Sequence, residues 1–383
     1  MKKKMRNWAE LPEDLLVLTA NKITLFEDFL SFSGVCRSWH SVAINDNFKG
    51  SEQIPWLMLS DKDKPDERKF VSLRKGGVIR TVNLPEVRGK RCLETLGWLV
   101  TIAEDGEINL LHPFTRVQIN LPHVTTFKDY RRKRRYDNTS FIHKAVLSSR
   151  PEESKDYVLV VIHGNCGHLG YWRPGDESWT DVKISLLYFR DIIFHEGLFY
   201  GVVGRGFVFA FNVWGPDPTQ PWIALHAPYM YEGTAMKEQL FIVESKGVVL
   251  MVIRYLSRPY FWDANHYVPD NTNRSRVDYR TCRLQVFQAA LREQGQWLEI
   301  TSLGDNAVFL GDNASVSVDA SRFPGIKANC IYYTDEYWEF RKRGGVLRHT
   351  GIYCLEDGSK SPCYEEESFN PICPPLWVNP SSF

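Results

Sequence analysis

From Pro55 onward the sequence consists of short apolar runs separated by Gly, Asp, Asn and Pro, without long helical periodicity. Runs of this length bounded by turn residues are typical of β-strands. We predict strands at 56–59, 70–73, 98–102, 157–162, 198–203, 240–243, 248–253, 330–333 and 352–355. Segment 282–292 resembles a helix in composition, but we favour a strand that ends in a turn at Glu293. The sequence therefore predicts a mainly β protein.

Weak internal repetition limits the arrangement of these strands. Val82–Val87 (VNLPEV) recurs as Ile119–Val124 (INLPHV), and a Trp precedes two spacers and an apolar residue at Trp179, Trp222 and Trp297. Units of four strands and roughly 40–50 residues would fit six or seven times into the chain, as in a β-propeller. We predict a six- or seven-bladed propeller whose last segment pairs with an early strand. A pair of β-sandwiches or an irregular all-β fold is the alternative.

The N-terminal residues have a different, helical pattern. Pro12 suits a first helical turn, and Thr24–Glu27 has the form of a capping box that starts a second helix at Thr24. Gly34 ends that helix, and a third helical face follows at Val35, Cys36, Trp39 and Val42. Three helices this short carry more apolar surface than they can bury among themselves. Either another protein or the rest of the chain is expected to cover them.

The order of these residues resembles the F-box motif. The chain has Leu11-Pro12-x-Asp14-Leu15-Leu16, then Ile23, then Val35-Cys36-Arg37-Ser38-Trp39, whereas its middle departs from the usual Leu-rich run. F-box proteins use this surface to bind the Skp adaptor of an SCF (Skp–cullin–F-box) ubiquitin ligase. The resemblance implies adaptor contacts, shared with the core of the helices, at Leu11, Pro12, Leu15, Leu16, Ile23, Val35, Cys36 and Trp39.

A second resemblance concerns the strand-rich part. Residues 295–336 resemble the hallmark segment of plant F-box proteins with a KIB-type (kelch-related) propeller, and the early PWLML and late PPLWVNPS agree with it. This resemblance implies a plant source and two domains, an F-box at 8–48 and a KIB-type β-propeller at 55–380.

The remaining motifs do not support catalysis. His163-Gly-Asn-Cys166-Gly-His168 could offer three zinc ligands, but no CxxC accompanies it, and a polar hairpin turn is the simpler interpretation. Gly201–Gly206 leads into a strand rather than a helix, which a phosphate-binding loop requires. We expect no catalytic residue, no metal and no cofactor.

Charge and cysteine content suggest where the protein acts. The formal net charge is +1, the eight cysteines are scattered, and no apolar run approaches the roughly 20 residues of a membrane span. We therefore expect reduced thiols, location in the nucleus, the cytoplasm or both, and neither membrane nor nucleic acid as partner. The basic run is either a solvated loop or a nuclear-import or partner patch: Arg131, Arg132, Lys133, Arg134 and Arg135.

Together the two resemblances imply the substrate-recognition subunit of an SCF ligase. The Skp adaptor and a cullin would be its partners, and loops of the propeller, with 128–138 and 257–280 as first candidates, would bind a protein substrate that the sequence does not identify. A scaffold that binds or inhibits a partner without ligase activity is the main alternative. An enzymatic propeller, marked by a central pocket with converging titratable groups, is a third.

Overall fold

The computed structural model describes residues 8–45, 53–60, 64–74, 79–130, 137–182, 187–215, 221–226, 237–257, 280–290, 296–311, 313, 315–334, 350–364, 370 and 372–380. The N-terminal part contains three α-helices, α1 (Glu13–Ala20), α2 (Phe26–Ser33) and α3 (Arg37–Asn45). Acidic residues occupy the first turns of α1 and α2, where they interact favourably with the helix dipole. Within the part of the chain that the structure describes, none of the helices has the length and apolar character of a membrane-spanning segment.

The predicted capping box at the start of α2 is wrong, although Gly34 follows the helix as predicted. The N-cap residue is Leu25, with an extended backbone and no side-chain cap. Instead, the Phe26 N–H donates to Gln53 Oε1 at 3.1 Å, and Gln53 Nε2 donates to the Thr24 carbonyl at 3.1 Å. A single amide supplies both the acceptor and the donor. The start of α2 is thus fixed by the segment that leads into the first strand.

The strands follow in chain order: β1 (Trp56–Ser60), β2 (Glu67–Ser72), β3 (Ile79–Asn83), β4 (Arg91–Thr95), β5 (Trp98–Ile102), β6 (Ile108–Leu111), β7 (Gln118–Leu121), β8 (Ile142–Leu147), β9 (Leu159–His163), β10 (His168–Trp172), β11 (Thr180–Asp181), β12 (Phe189–His195), β13 (Leu198–Val203), β14 (Val208–Phe211), β15 (Trp222–Leu225), β16 (Lys237–Ser245), β17 (Val248–Ser257), β18 (Arg280–Ala290), β19 (Gln296–Ile300), β20 (Asn306–Leu310), β21 (Ser315–Asp319), β22 (Cys330–Tyr333), β23 (Gly351–Cys354), β24 (Lys360–Pro362) and β25 (Leu376–Val378). The strand predicted within 282–292 is confirmed as β18.

Among the described residues these strands form six sheets, the blades of a β-propeller. Blade 1 has the order β25-β1-β2-β3, and blades 2 to 5 are antiparallel meanders of β4–β7, β8–β11, β12–β15 and β16–β19. Blade 6 has the order β21-β20-β22-β23-β24, with β20 and β22 parallel. The prediction of a propeller is confirmed with six blades, and the sandwich alternative is wrong.

The ring is closed by the last strand. β25 pairs antiparallel with β1, with Trp56 opposite Val378 and Met58 opposite Leu376. The innermost strands of successive blades contact one another around the channel: β25 with β4, β4 with β8, β8 with β12, β12 with β16, and β16 with β21. Closure removes the free edge that β1 would otherwise present, and it confirms the predicted pairing of the last segment with an early strand.

The first hairpin of several blades has the same turn. Leu96-Gly97, Glu196-Gly197 and Lys246-Gly247 follow β4, β12 and β16, and both residues of each pair have positive φ. Two-residue turns with this backbone match the right-handed twist of the flanking strands, and glycine adopts it at no steric cost. These turns all lie at the end of the ring where the inner strands finish.

The sequence repeats correspond to outermost strands. VNLPEV and INLPHV each contain the end of an outer strand, β3 or β7, and the turn into the next blade, where Val87 and Val124 are buried. Trp179 immediately precedes β11, Trp222 begins β15 and Trp297 lies in β19. Both patterns therefore mark the same position in different blades, which is why they recur.

Candidate functional site

The helical module (residues 8–45) shares one hydrophobic core with blades 1 and 2. The buried side chains of α1, α2 and α3 form a cluster with residues of β1, β2, β4, β5 and β25. Phe26 is central to it, since its ring lies 5.8 Å from that of Trp56 and 5.2 Å from that of Phe114. The chain itself therefore covers one side of the helices.

Polar contacts reinforce this packing. Arg80, on the outer strand of blade 1, donates through Nη2 to the Glu27 carbonyl at 2.7 Å and to Ser31 Oγ at 2.6 Å. The buried carboxylate of Glu27 lies 3.8 Å from the Arg74 guanidinium. Because α2 is held by apolar and charged contacts together, the helical module has a defined orientation on the ring.

The predicted adaptor-binding residues fall into two groups. Leu16 is buried in the shared core, and Leu11, Ile23 and Trp39 are half-buried against it. Pro12 is exposed, and the side chains of Leu15 and Val35 are 48% and 52% exposed. Leu18, which was not predicted, is 58% exposed on α1. The helical module thus keeps several apolar side chains uncovered, and contact of the predicted residues with an adaptor stays a prediction.

The Val-Cys-x-x-Trp segment has a structural role at the start of α3. Cys36 immediately precedes the helix, and the backbone N–H groups of Trp39 and Ser38 lower the pKa of its thiol. The sulfur therefore occupies the position of a helix N-cap acceptor. Trp39 packs its ring 4.6 Å from that of Phe32, and its Nε1 donates to the Trp8 carbonyl at 3.1 Å. These contacts hold the segment before α1 against α3.

The predicted substrate loops are only partly described. The basic run Arg131, Arg132, Lys133, Arg134 and Arg135 lies outside the described residues, as do residues 258–279. The two ends of loop 128–138 are joined, because Tyr130 Oη donates to Asn138 Oδ1 at 2.7 Å. Asn138 Nδ2 donates in turn to the Glu104 carbonyl at 2.9 Å, which fixes the base of the loop on blade 2.

The histidine pair proposed as a zinc alternative lies in a hairpin. His163 and His168 are opposite each other in β9 and β10, and Asp129 lies between them. Its carboxylate oxygens are 3.4 Å from His163 Nδ1 and 3.2 Å from His168 Nδ1. Burial raises the pKa of Asp129, but the interactions of its carboxylate with both histidines outweigh burial and lower the pKa below its ordinary value. The described residues contain no cluster of His, Cys, Asp and Glu that could hold a metal ion.

Sequence reasoning missed a buried ion pair around the channel. Lys144 Nζ of β8 lies 3.3 Å from Asp191 Oδ1 of β12, and both side chains are buried. Asp191 Oδ2 also accepts the Ile242 N–H of β16 at 3.0 Å, so the pair links blades 3, 4 and 5. Burial raises the pKa of Asp191, opposed by the charge of Lys144. The charged residues inside the apolar strands IHKAVL and FRDIIFH were the available signal.

The loop that precedes β21 crosses to the opposite side of the channel. Asn313 Oδ1 accepts the Ala145 N–H at 2.7 Å, and its Nδ2 donates to the Ala145 carbonyl at 2.8 Å and to the Glu94 carbonyl. A side-chain amide thus pairs with the open edge of β8 as a neighbouring strand would. No local sequence pattern predicts this contact.

A comparison with family models decides the assignment. The model described as KIB1-4 beta-propeller matches residues 70–354. The chain belongs to the KIB1-4 beta-propeller family. The matched segment runs from β2 of blade 1 to β23 of blade 6, so it covers the ring but not the helical module. The predicted KIB-type propeller is confirmed.

Relatives of the family extend over the helices as well. The chain is 25% identical to "F-box protein SKIP23" of Arabidopsis thaliana, over 98% of this chain and 96% of that protein. It is 23% identical to "F-box protein At2g26160" of the same plant, over 86% of this chain and 95% of the relative. Together with the three N-terminal helices, these matches confirm the predicted type, a plant F-box protein with a KIB propeller.

Proposed function

We propose that this chain is the substrate-recognition subunit of an SCF ubiquitin ligase, in which the helical module binds a Skp adaptor and the propeller binds a protein substrate. The observation that carries the proposal is that some residues of the helical module are buried on the ring while others of the same motif stay exposed. One side is buried against blades 1 and 2, whereas Pro12, Leu15 and Val35 of the F-box-like motif remain exposed. Exposed apolar anchors are what a desolvated protein interface uses.

The chain would then act by positioning rather than by chemistry. The orientation of α2 on blade 1 is set by Phe26, Glu27 and Arg80. A substrate bound to the ring would therefore be held at a set distance from the ligase, which raises its effective concentration near the ubiquitin-carrying enzyme. No residue of this chain needs to be a nucleophile, a general base or a metal ligand in this mechanism.

Co-expression with a plant Skp adaptor, followed by size-exclusion chromatography, tests the interface. The variant Pro12→Ala with Leu15→Ala changes only exposed side chains, so the fold is expected to be retained. Because truncating interface anchors typically costs more than about 1 kcal/mol each, affinity should fall at least about tenfold. Leu298→Ala is the matched control, since Leu298 is 64% exposed on β19 of blade 5. Equal binding by wild type and double variant would refute the assigned interface.

Purification of the tagged chain from plant tissue distinguishes a ligase subunit from a scaffold that acts without ligase activity. Stoichiometric recovery of the Skp adaptor and a cullin supports the ligase, and loss of both in the double variant connects them to the helical module. Recovery of other partners without Skp or cullin would instead support a scaffold.

A further inference from the structure

The inner strands enclose a cavity of about 260 Å³ at one end of the channel. It lies where β4, β8, β12 and β16 end, and each blade contributes to its wall. Representative lining residues, one per blade in order, are Asn379, Glu94, Ala145, Ile193, Glu244 and Ser317.

The helical module lies at the same end of the ring. β25 runs towards the cavity and is followed by Asn379, so its antiparallel neighbour β1 begins there. Trp56 is the first residue of β1, and it contacts Phe26 of α2. A molecule held in the cavity would therefore lie on the face of the propeller that carries the helices.

Glu94 is the unusual residue of this cavity. Its side chain is 2% exposed, and its Oε1 accepts the Gly97 N–H at 2.8 Å and the Asn379 N–H at 3.1 Å. Its Oε2 has no hydrogen-bond partner within the described part of the chain. Ser315 Oγ, which also belongs to a lining residue, is buried and equally without a partner among those residues. One carboxylate oxygen and one hydroxyl of the wall are thus unused, and the hydroxyl can accept as well as donate.

The neighbouring charges do not neutralise Glu94. Arg150 is the nearby cation, but its guanidinium donates to Glu153 Oε1 at 3.1 Å and to the Leu96 carbonyl at 3.3 Å. Glu244 adds a second carboxylate to the wall, and the described lining residues include no Lys or Arg. Burial accordingly raises the pKa of Glu94 to about 7, against the opposing effects of the two N–H donors and of Arg150.

A buried carboxylate with one unused oxygen, close to a second unused oxygen, suits a ligand that is cationic and carries only donors. An ammonium group offers three N–H donors and a guanidinium group five, and neither has an acceptor. Hydrogen bonds of such groups to a carboxylate are among the strongest in proteins. We propose that the cavity binds the cationic end of a lysine or arginine side chain, with Glu94 and Ser315 as its acceptors. This cation site rests on the proposed function in one respect only, which is that the side chain is taken to belong to the protein substrate.

Titration of the full chain with short peptides, followed by ligand-detected NMR, tests this site without any adaptor. The probes are acetyl-Gly-Gly-X-Gly-Gly-amide with X as arginine, lysine or norleucine, together with n-butylammonium. The cationic peptides should bind saturably and at least tenfold more tightly than the norleucine peptide, because norleucine has a similar chain but no charge. Equal binding of all three peptides, or none by the cationic ones, overturns the proposal.

Two variants and a control locate the binding. Glu94→Gln keeps an oxygen for the Gly97 and Asn379 N–H groups, and it should remove the tenfold preference. Ser315→Ala should weaken it several-fold and serves as a second test. Glu107→Gln, an exposed residue in the turn after β5 at the opposite end of blade 2, should change nothing. A preference that survives in both cavity variants refutes the site.

Binding of n-butylammonium as tight as that of the peptides would instead assign the cavity to free amines. Adaptor binding is expected to be normal in all these variants, so failure here leaves the proposed function intact.

Discussion

The buried carboxyl of Glu94 should make the stability of the protein depend on pH. In the folded chain its pKa is raised from 4.5 to about 7, mainly by burial. An acid with a raised folded-state pKa binds its proton more tightly in the folded than in the unfolded chain. Its stabilising contribution is therefore complete below about pH 4.5 and is lost as pH rises to about 7. Replacement by glutamine removes this dependence, because glutamine is neutral throughout.

The size of the effect follows from the shift. A difference of about 2.5 pKa units corresponds to about 3 kcal/mol, and since Glu94 is almost fully buried, solvent screening reduces it little. Because part of this effect is already lost at pH 5, wild type should lose about 2.5 kcal/mol of unfolding free energy relative to Glu94→Gln between pH 5 and pH 8. For a chain of 383 residues this corresponds to about 3 °C in Tm.

Urea unfolding of both proteins at intervals from pH 5 to pH 8 measures the difference. Other groups titrate in this range, and subtracting the two curves cancels their contributions. Glu107→Gln provides the control, and its curve should run parallel to that of wild type. If the curves of wild type and Glu94→Gln are also parallel, the carboxyl is ionised at neutral pH and the reasoning about its environment is wrong.

Three further substitutions test the packing. Phe26→Ala should destabilise the helical module by about 3–5 kcal/mol, and hydrogen exchange should show faster exchange of α1 to α3 than of the blades; uniform protection would contradict the shared core. Asp191→Ala leaves Lys144 buried without its counter-ion and should cost about 3–5 kcal/mol in urea unfolding, whereas a cost below 1 kcal/mol would show that the pair is hydrated. Trp377→Ala should cost about 3–5 kcal/mol in urea unfolding, because this fully buried indole donates to the Leu310 carbonyl at 3.0 Å. Trp222→Ala is the control and should cost little, because Trp222 is exposed. Equal losses of unfolding free energy in both variants would contradict the role of Trp377 in closing the ring.

Local sequence patterns predicted the blades well. The apolar runs at 98–102, 198–203 and 330–333 coincide with β5, β13 and β22, because buried strands bounded by turn residues have a short-range signature. The repeated outer-strand segments indicated units of four strands. The recurring X-Gly turns after β4, β12 and β16 were a further signal, which would have marked the first hairpin of three blades.

Contacts between distant residues could not be predicted in the same way. Gln53 caps α2 from 27 positions away, and no short segment of sequence shows this contact. The capping box at Thr24 was the stronger local signal, but it was wrong. Asn313 bonds to Ala145 across the channel, and Glu94 faces a cavity formed by all six blades. These roles depend on ring closure, a tertiary property that no short segment of the sequence contains.

The pairing of β25 with β1 also sets the order in which the protein can mature. Translation produces Trp56–Ser60 long before Leu376–Val378, so blade 1 lacks its inner strand while the other five blades are synthesised. An unpaired edge of this kind invites incorrect association, and chaperones protect nascent chains in that state. Because the helices pack on blade 1 and on residues of β25, their packing surface is complete only after β25 has left the ribosome. A chain terminated before β25 would thus lack part of the blade 1 surface on which the F-box-like helices pack.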